Sequence, residues 1–346
     1  MIASVQFRHF KALRAASLRL EPFNLVVGPN GSGKTTLIQA FLKLRALAGQ
    51  AAAAETPGPA PAKGGGAAGG QRPGVVPTIM FRFAAPDDGF EVQLSGRTEH
   101  SCDRLQVRFP PAAGARTRWE ELRADLAGIR VFLFDHYAMA GPVARSEGGE
   151  LASNGRNLAA VLAGMRERQP EAFGRLQAEF CRALPDFAGI EPQPAGEGAV
   201  ELALRLADGN ALITPEDASQ GALYALAILT LSFSPRKPTM LCLEETDRGV
   251  HPRLLREVRD ALYRLSYPAS FGEQRPAVQI VATTHSPFLL DLFRDHPEEI
   301  VIASKRGAAA TFERLGDRPD VKEILREGSL GDLWYSGILG GVPEEG

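Results

Sequence analysis

Two short stretches of this chain carry side chains whose types and spacing could do phosphate chemistry. The first is GPNGSGKT, Gly28 to Thr35. Its glycines let the backbone curl N–H groups around an anion, and a helix starting at its end adds a favourable dipole. Lys34 can reach β- and γ-phosphate oxygens, and Thr35 can offer its hydroxyl to Mg²⁺. The spacing fits the Walker A pattern without mismatch, between an apolar strand, FNLVV, and a helical run, TLIQAFLKLRAL. The candidate nucleotide contacts are Asn30, Gly31, Ser32, Gly33, Lys34, Thr35 and Thr36. A chance glycine turn is the bland alternative, and both flanks argue against it.

The second stretch is LCLEETDRGVHP, Leu241 to Pro252. An oily run of this kind reads as a buried parallel strand, whose carboxyl end is where phosphate crevices form. Two adjacent glutamates repel each other, and packing gives no reason for them. Successive strand residues point to opposite sides, so the two can do different work. Glu244 is placed to hold Mg²⁺ through its water shell, and Glu245 to polarise the water that attacks a γ-phosphate. Without the glycine loop, a solvated acidic turn would be the better reading. A further strand, VQIVATTHSPFLLD, puts His285 just past its end, where an imidazole could contact the γ-phosphate. Ser219 and Gly221, in DASQGALYALAIL, precede another helix. They fit an anion site and a plain helix N-cap equally well.

The elements that must position these residues follow from pattern. SVQFRHF and ASLRLE alternate as strands, as do TIMFRF, FEVQLS and DRLQVRF, and IRVFLFD reads as a buried strand. GRNLAAVLAGMRERQPEAFGRLQAEFCRAL reads as two helices, the second starting at Pro170. Strands follow at AVELALRL and ALIT, then a helix from about Ser219 to Ser232. The last third alternates strand and helix, which predicts parallel βαβ units. Residues 48–77 are alanine, glycine and proline with almost nothing to bury, which predicts a flexible insertion.

Composition narrows the classes. The chain has 346 residues, 44% of them hydrophobic, enough for about two domains or lobes with a substantial core. A formal net charge of -2 argues against a bulk electrostatic DNA binder. Cys102, Cys181 and Cys242 have no metal-ligand spacing and read as small buried side chains in a reducing compartment. The first twenty residues are broken by charge and lack a signal-peptide core, and GALYALAILTLSF is too short to span a bilayer. The expectation is a cytoplasmic protein.

Taken in order, the Walker A loop, a Ser-x-Gly helix start, an apolar strand ending in Glu-Glu, GVHP and THSPFLLD resemble the ABC-type ATPase heads. Within those, the chain is most similar to the compact bacterial AAA-type predicted ATPases related to OLD-family nucleases, RecF and SMC proteins. The opening VQFRHFKALRAASLRLEPFNLVVGPNGSGKTTL and the ending LREGSLGDLWYSGILGG extend the resemblance over nearly the whole chain outside the insertion.

The resemblance implies an α/β P-loop NTPase head with a mixed β lobe and a helical lobe. Residues 1–135 would form an N-terminal ATPase lobe with Walker A. Residues 136–232 would form a helical or insert lobe ending in the signature helix, and 233–346 a C-terminal core with Walker B, D-loop and switch histidine. It implies Lys34 and Thr35 for ATP and Mg²⁺, Glu244 for Mg²⁺, Glu245 as catalytic base and His285 as γ-phosphate sensor. Ser219 and Gly221 would act on ATP bound by a partner subunit in a homodimer or higher homo-oligomer.

The implied function is an ATP-hydrolysing clamp or sensor, in genome defence or DNA maintenance, working with a separate effector protein. A RecF-like DNA clamp, a transporter motor and a non-hydrolysing nucleotide-gated scaffold are the competing readings. There are departures: Ala218-Ser219-Gln220-Gly221 stands for Leu-Ser-Asp-Gly or Leu-Ser-Gly-Gly, and Thr246-Asp247-Arg248-Gly249 for Pro-Glu-Asn-Gly. No glutamine is assigned to a Q-loop, and too little chain follows Ser304 for a nuclease metal site.

Overall fold

Every apolar run named above forms the element its period predicts. The computed structural model describes residues 1–50, 76–98, 100–209 and 211–342. In chain order these form β1 (Ile2–Phe10), β2 (Leu13–Arg19), β3 (Phe23–Val27), α1 (Lys34–Gln50), β4 (Thr78–Phe83), β5 (Glu91–Ser95), β6 (Arg104–Arg108) and α2 (Ala115–Ala127). Next come β7 (Ile129–Phe132), α3 (His136–Ala140), β8 (Val143–Ala144), α4 (Leu158–Arg168), α5 (Pro170–Ala183), β9 (Phe187–Pro194), β10 (Ala199–Leu206), β11 (Leu212–Ile213) and α6 (Gln220–Phe233). The last are β12 (Met240–Leu243), α7 (Leu255–Ser266), β13 (Gln279–Thr284), α8 (Pro287–Asp291), β14 (Ile300–Arg306), β15 (Ala309–Arg314), α9 (Val321–Glu327) and α10 (Leu330–Tyr335). Helix α1 continues to Gln50, three residues into the expected insertion; residues 51–75 of that insertion lie outside the described residues.

The chain divides into two units, Met1–Ile129 with His296–Ile324 and Leu333–Gly346, and Arg130–Asp295 with Leu325–Asp332. In the first, an antiparallel sheet runs β2-β1-β4-β5-β6, with Val5 opposite both Leu18 and Phe81. Alternation in β1 buries Val5 and Phe7 on one side, as the period of two requires. Strand β14 pairs in parallel with β3, Val27 opposite Ile302, and antiparallel with β15. Helix α1 buries Leu37, Ile38, Phe41 and Leu44, a helical stripe whose Phe41 ring meets Phe81 at 6.0 Å.

A buried arginine ties the first unit's distant segments together. Arg314 donates to the carbonyls of Glu298 and Arg19 and, at 2.9 Å, to Asn24 Oδ1. Asn24 in turn accepts from the Glu21 N–H and donates to the Glu21 carbonyl. Burial lowers the pKa of the guanidinium, and these acceptors offset that desolvation.

In the second unit β12 and β13 pair in parallel, Cys242 opposite Val281, and every residue of both strands is buried. The Glu244 N–H donates to the Phe132 carbonyl, tying the turn after β12 to β7. In an antiparallel group β10 pairs along its length with β9, and over two residues each with β8 and β11. Helix α6 is apolar all round and buried from Gly221 to Ser232, so its oiliness serves packing rather than a bilayer. Among the described residues no helix is long and apolar enough to cross a membrane.

Candidate functional site

The phosphate loop belongs to the first unit, and its shape is set by missing side chains. At Gly28 a Cβ would lie 2.1 Å from the Ala303 carbonyl oxygen, so only glycine lets β3 turn there. Gly31 and Gly33 have φ of 75° and 92°, the left-handed region that favours glycine. Lys34 Nζ donates to the carbonyls of Gly28 at 2.7 Å and Pro29 at 2.9 Å. Ser32 is fully buried, and its hydroxyl has no hydrogen-bond partner. Leaving such a group unmet costs about 1–3 kcal/mol, a penalty that an anion accepting its proton would remove. Asn30, Gly31 and Thr35 are exposed and Thr36 half-buried. Loop backbone, lysine and an orphaned hydroxyl together fit a phosphate group.

The acidic turn belongs to the second unit and is built from side chains. Strand β12 ends at Leu243, Glu244 is half-buried, and Glu245 is exposed with φ of 51°. A residue with a Cβ pays about 1–2 kcal/mol to enter that region, so its surroundings must hold it there. The Glu245 N–H donates to Thr283 Oγ1 at 3.0 Å, and its carbonyl accepts from the Arg248 N–H at 2.9 Å. Arg248 also sits 3.6 Å from the Glu245 carboxylate. Burial, and then the nearby Glu244 charge, push the Cys242 thiol pKa up, so it stays a neutral core side chain.

The same turn reaches His285. Asp247 Oδ1 accepts from Thr284 Oγ1 at 2.6 Å and from the His285 N–H at 3.3 Å. Thr284 Oγ1 accepts from the Ser286 N–H, and Ser286 caps α8. Within this unit the turn that carries Glu244 and Glu245 is therefore hydrogen-bonded to the end of β13, where His285 follows. Sequence reasoning assigned no role to Asp247, Thr283 or Thr284, although paired threonines ending a buried strand were the available signal. The departure to Asp247 supplies those two hydrogen bonds, whereas Thr246 leaves a buried hydroxyl without a partner.

Ser219 behaves as the N-cap of α6, its Oγ accepting from the Ala222 N–H at 3.2 Å. Gly221 is required by close approach, since a Cβ there would lie 2.7 Å from the Gly249 carbonyl oxygen. A Cβ on Gly249 would in turn strike the Gln220 side chain at 2.6 Å. The two segments that carry departures from the family pattern thus touch each other. Gln220 Nε2 donates to the Tyr224 hydroxyl at 2.9 Å, which donates to the Phe134 carbonyl at 2.7 Å. Among the described residues, no group of three or more His, Cys, Asp or Glu could hold a metal by itself.

A family model described as "AAA domain, putative AbiEii toxin, Type IV TA system" matches residues 23–291, more than half of the chain. The chain belongs to this AAA-domain family. No curated protein sequence matches this AAA-domain chain. Among solved structures, an SMC head bound to the C-winged helix domain of ScpA matches with a TM-score of 0.57 and 15% identity. That match covers 90% of this chain and 96% of the SMC head. A second Smc head, with an extended coiled coil and bound to the C-terminal domain of ScpA derived from Pyrococcus furiosus, matches with a TM-score of 0.53. It is 15% identical and covers 94% of this chain and 99% of its own. At that identity the likeness is one of fold. The AAA-domain protein has the α/β fold of an ABC-type P-loop ATPase head.

Proposed function

We propose that this AAA-domain protein binds Mg²⁺-ATP on the loop from Asn30 to Thr36 and hydrolyses its γ-phosphate. The observation that carries this reading is the buried, unpartnered Ser32 hydroxyl in a loop whose Gly28 has no room for a side chain and whose Gly31 and Gly33 take left-handed backbone. Lys34 would exchange its two loop carbonyls for phosphate oxygens, trading neutral acceptors for charged ones. Thr35 and Glu244 would hold Mg²⁺, which when bound neutralises charge on the β- and γ-oxygens.

Glu245 would accept the proton of the attacking water. Its strained φ, held by Thr283 and Arg248, sets where the side chain leaves the backbone before substrate arrives. His285 would sense the γ-phosphate, its backbone anchored through Asp247 to the turn that carries Glu245. Ser219 and Gly221 would present the start of α6 to ATP held by a second copy, making the working form a dimer. The biological setting we propose is genome defence, with a separate effector protein; the family's own description names a toxin system.

Phosphate release from Mg²⁺-ATP by the purified chain tests the core of this reading. Release should vanish in Lys34→Ala and fall roughly 10²–10⁴-fold in Glu245→Gln, with ATP binding kept only in the latter. Wild-type protein that binds ATP yet never releases phosphate would leave a nucleotide-gated scaffold instead. Sedimentation with ATP on the Glu245→Gln variant tests the dimer, and a species that stays monomeric overturns it.

A further inference from the structure

We infer that Lys305 is a second phosphate-binding cation of the nucleotide loop, an inference that rests on the ATP reading above. Strands β3 and β14 are parallel, with Val27 opposite Ile302, so both end at the same edge and β14 runs on past the loop. Ala303 and Lys305 are two residues apart and share one face of β14. Two positions of the loop meet that face. A Cβ at Gly28 would lie 3.0 Å from the Ala303 Cβ, and a Cβ at Gly31 would lie 3.5 Å from Lys305 Nζ and 3.8 Å from its Cδ.

The opposite face is accounted for separately. A Cβ at Gly341 would meet the Ile302 side chain at 2.8 Å, and one at Gly340 would meet Ser304 Oγ at 3.8 Å. The alternation of β14 therefore assigns Ile302 and Ser304 to the C-terminal segment and Lys305 to the phosphate loop.

The two lysines at this loop differ in what occupies them. The Lys34 ammonium is buried against two carbonyls of its own loop. Lys305 is exposed, and among the described residues no carboxylate pairs with it. An ammonium standing over a glycine of a phosphate loop without an acidic partner is placed for a phosphate oxygen, as a mobile point charge rather than a fixed fork. A lysine serving only solubility predicts no effect on nucleotide affinity.

Equilibrium binding of Mg²⁺ with a non-hydrolysable ATP analogue to the full chain, so that nothing turns over, separates these. Lys305→Met should weaken ATP binding roughly five- to thirtyfold at low salt, with Lys305→Arg staying within about twofold of wild type. The gap between wild type and Lys305→Met should narrow as salt rises, because an exposed ammonium is screened. Thermal unfolding without nucleotide should be equal in all three. Lys305→Met binding ATP like wild type at low salt overturns the inference, as does a loss that arginine does not rescue. If wild type binds and Lys34→Ala does not, such a result removes Lys305 alone. If wild type does not bind ATP, the parent reading falls with it.

Discussion

The phosphate loop and the acidic turn solve the same problem, holding charge at a strand end, by opposite means. The loop of residues 28–35 is defined by absent atoms: Gly28 presses on the Ala303 carbonyl, and Gly31 and Gly33 take left-handed backbone. The turn at 244–249 is defined by present ones. There Thr283, Arg248, Asp247 and Thr284 hold a strained glutamate and a histidine backbone in place. A site made of backbone fails when an atom is added. A site made of side chains fails when one is removed.

The sharpest contrast comes from changing chemistry without shape. Glu245→Gln should lower phosphate release roughly 10²–10⁴-fold while ATP stays bound, the usual cost of losing a general base. Release at the wild-type rate would remove Glu245 from the chemistry. Next comes an atom added to the loop. Gly28→Ala should destabilise the protein by about 3 kcal/mol and abolish nucleotide binding, because the new methyl meets backbone that cannot swing away. Urea denaturation checks it, and a neutral result would mean that the loop is not backbone-limited.

A smaller effect is expected from removing one acceptor that holds the turn. Thr283→Val deprives the Glu245 N–H of its acceptor and should cost about 1 kcal/mol, with slower turnover and unchanged ATP affinity. Loss of affinity as large as loss of rate would blur the distinction drawn here.

The mildest test lies outside both sites, beyond the far end of α6. Burial foremost, then the nearby Arg275 charge, push the Lys237 pKa down from 10.5 to about 7 in the folded chain. Between those values the unfolded chain binds the proton and the folded chain does not, so stability rises with pH across that window. The destabilisation is complete below about pH 7. Lys237→Met should flatten that slope, read as urea midpoints at pH 7.5 and 9.5, and a slope that persists would assign it to another group.

The sequence made the loop legible because its glycines are where the geometry demands them. The two adjacent glutamates were legible because packing could not explain them. The network around Glu245 was not, since Thr283 and Thr284 lie almost forty residues from the turn they hold, and only β12–β13 pairing brings them near. Some elements escaped for local reasons. Helix α2 buries only Trp119, Leu122 and Leu126, a stripe too narrow to stand out among its charges. Strand β9 carries Pro192 and Pro194, which read against a strand until its pairing with β10 is seen. For Ser219 the residues left capping and anion binding level; the cap is now seen, and the anion remains a proposal.

The order in which the ribosome delivers this chain now matters. The wall behind Gly28 and the guanidinium that grips Asn24 both come from residues after 296, with Arg130–Asp295 of the second unit translated in between. Nascent chain carrying a complete glycine loop must therefore wait, its β3 edge uncovered, until β14 and β15 emerge. Any fragment cut before residue 296 keeps the loop's letters and loses its backing.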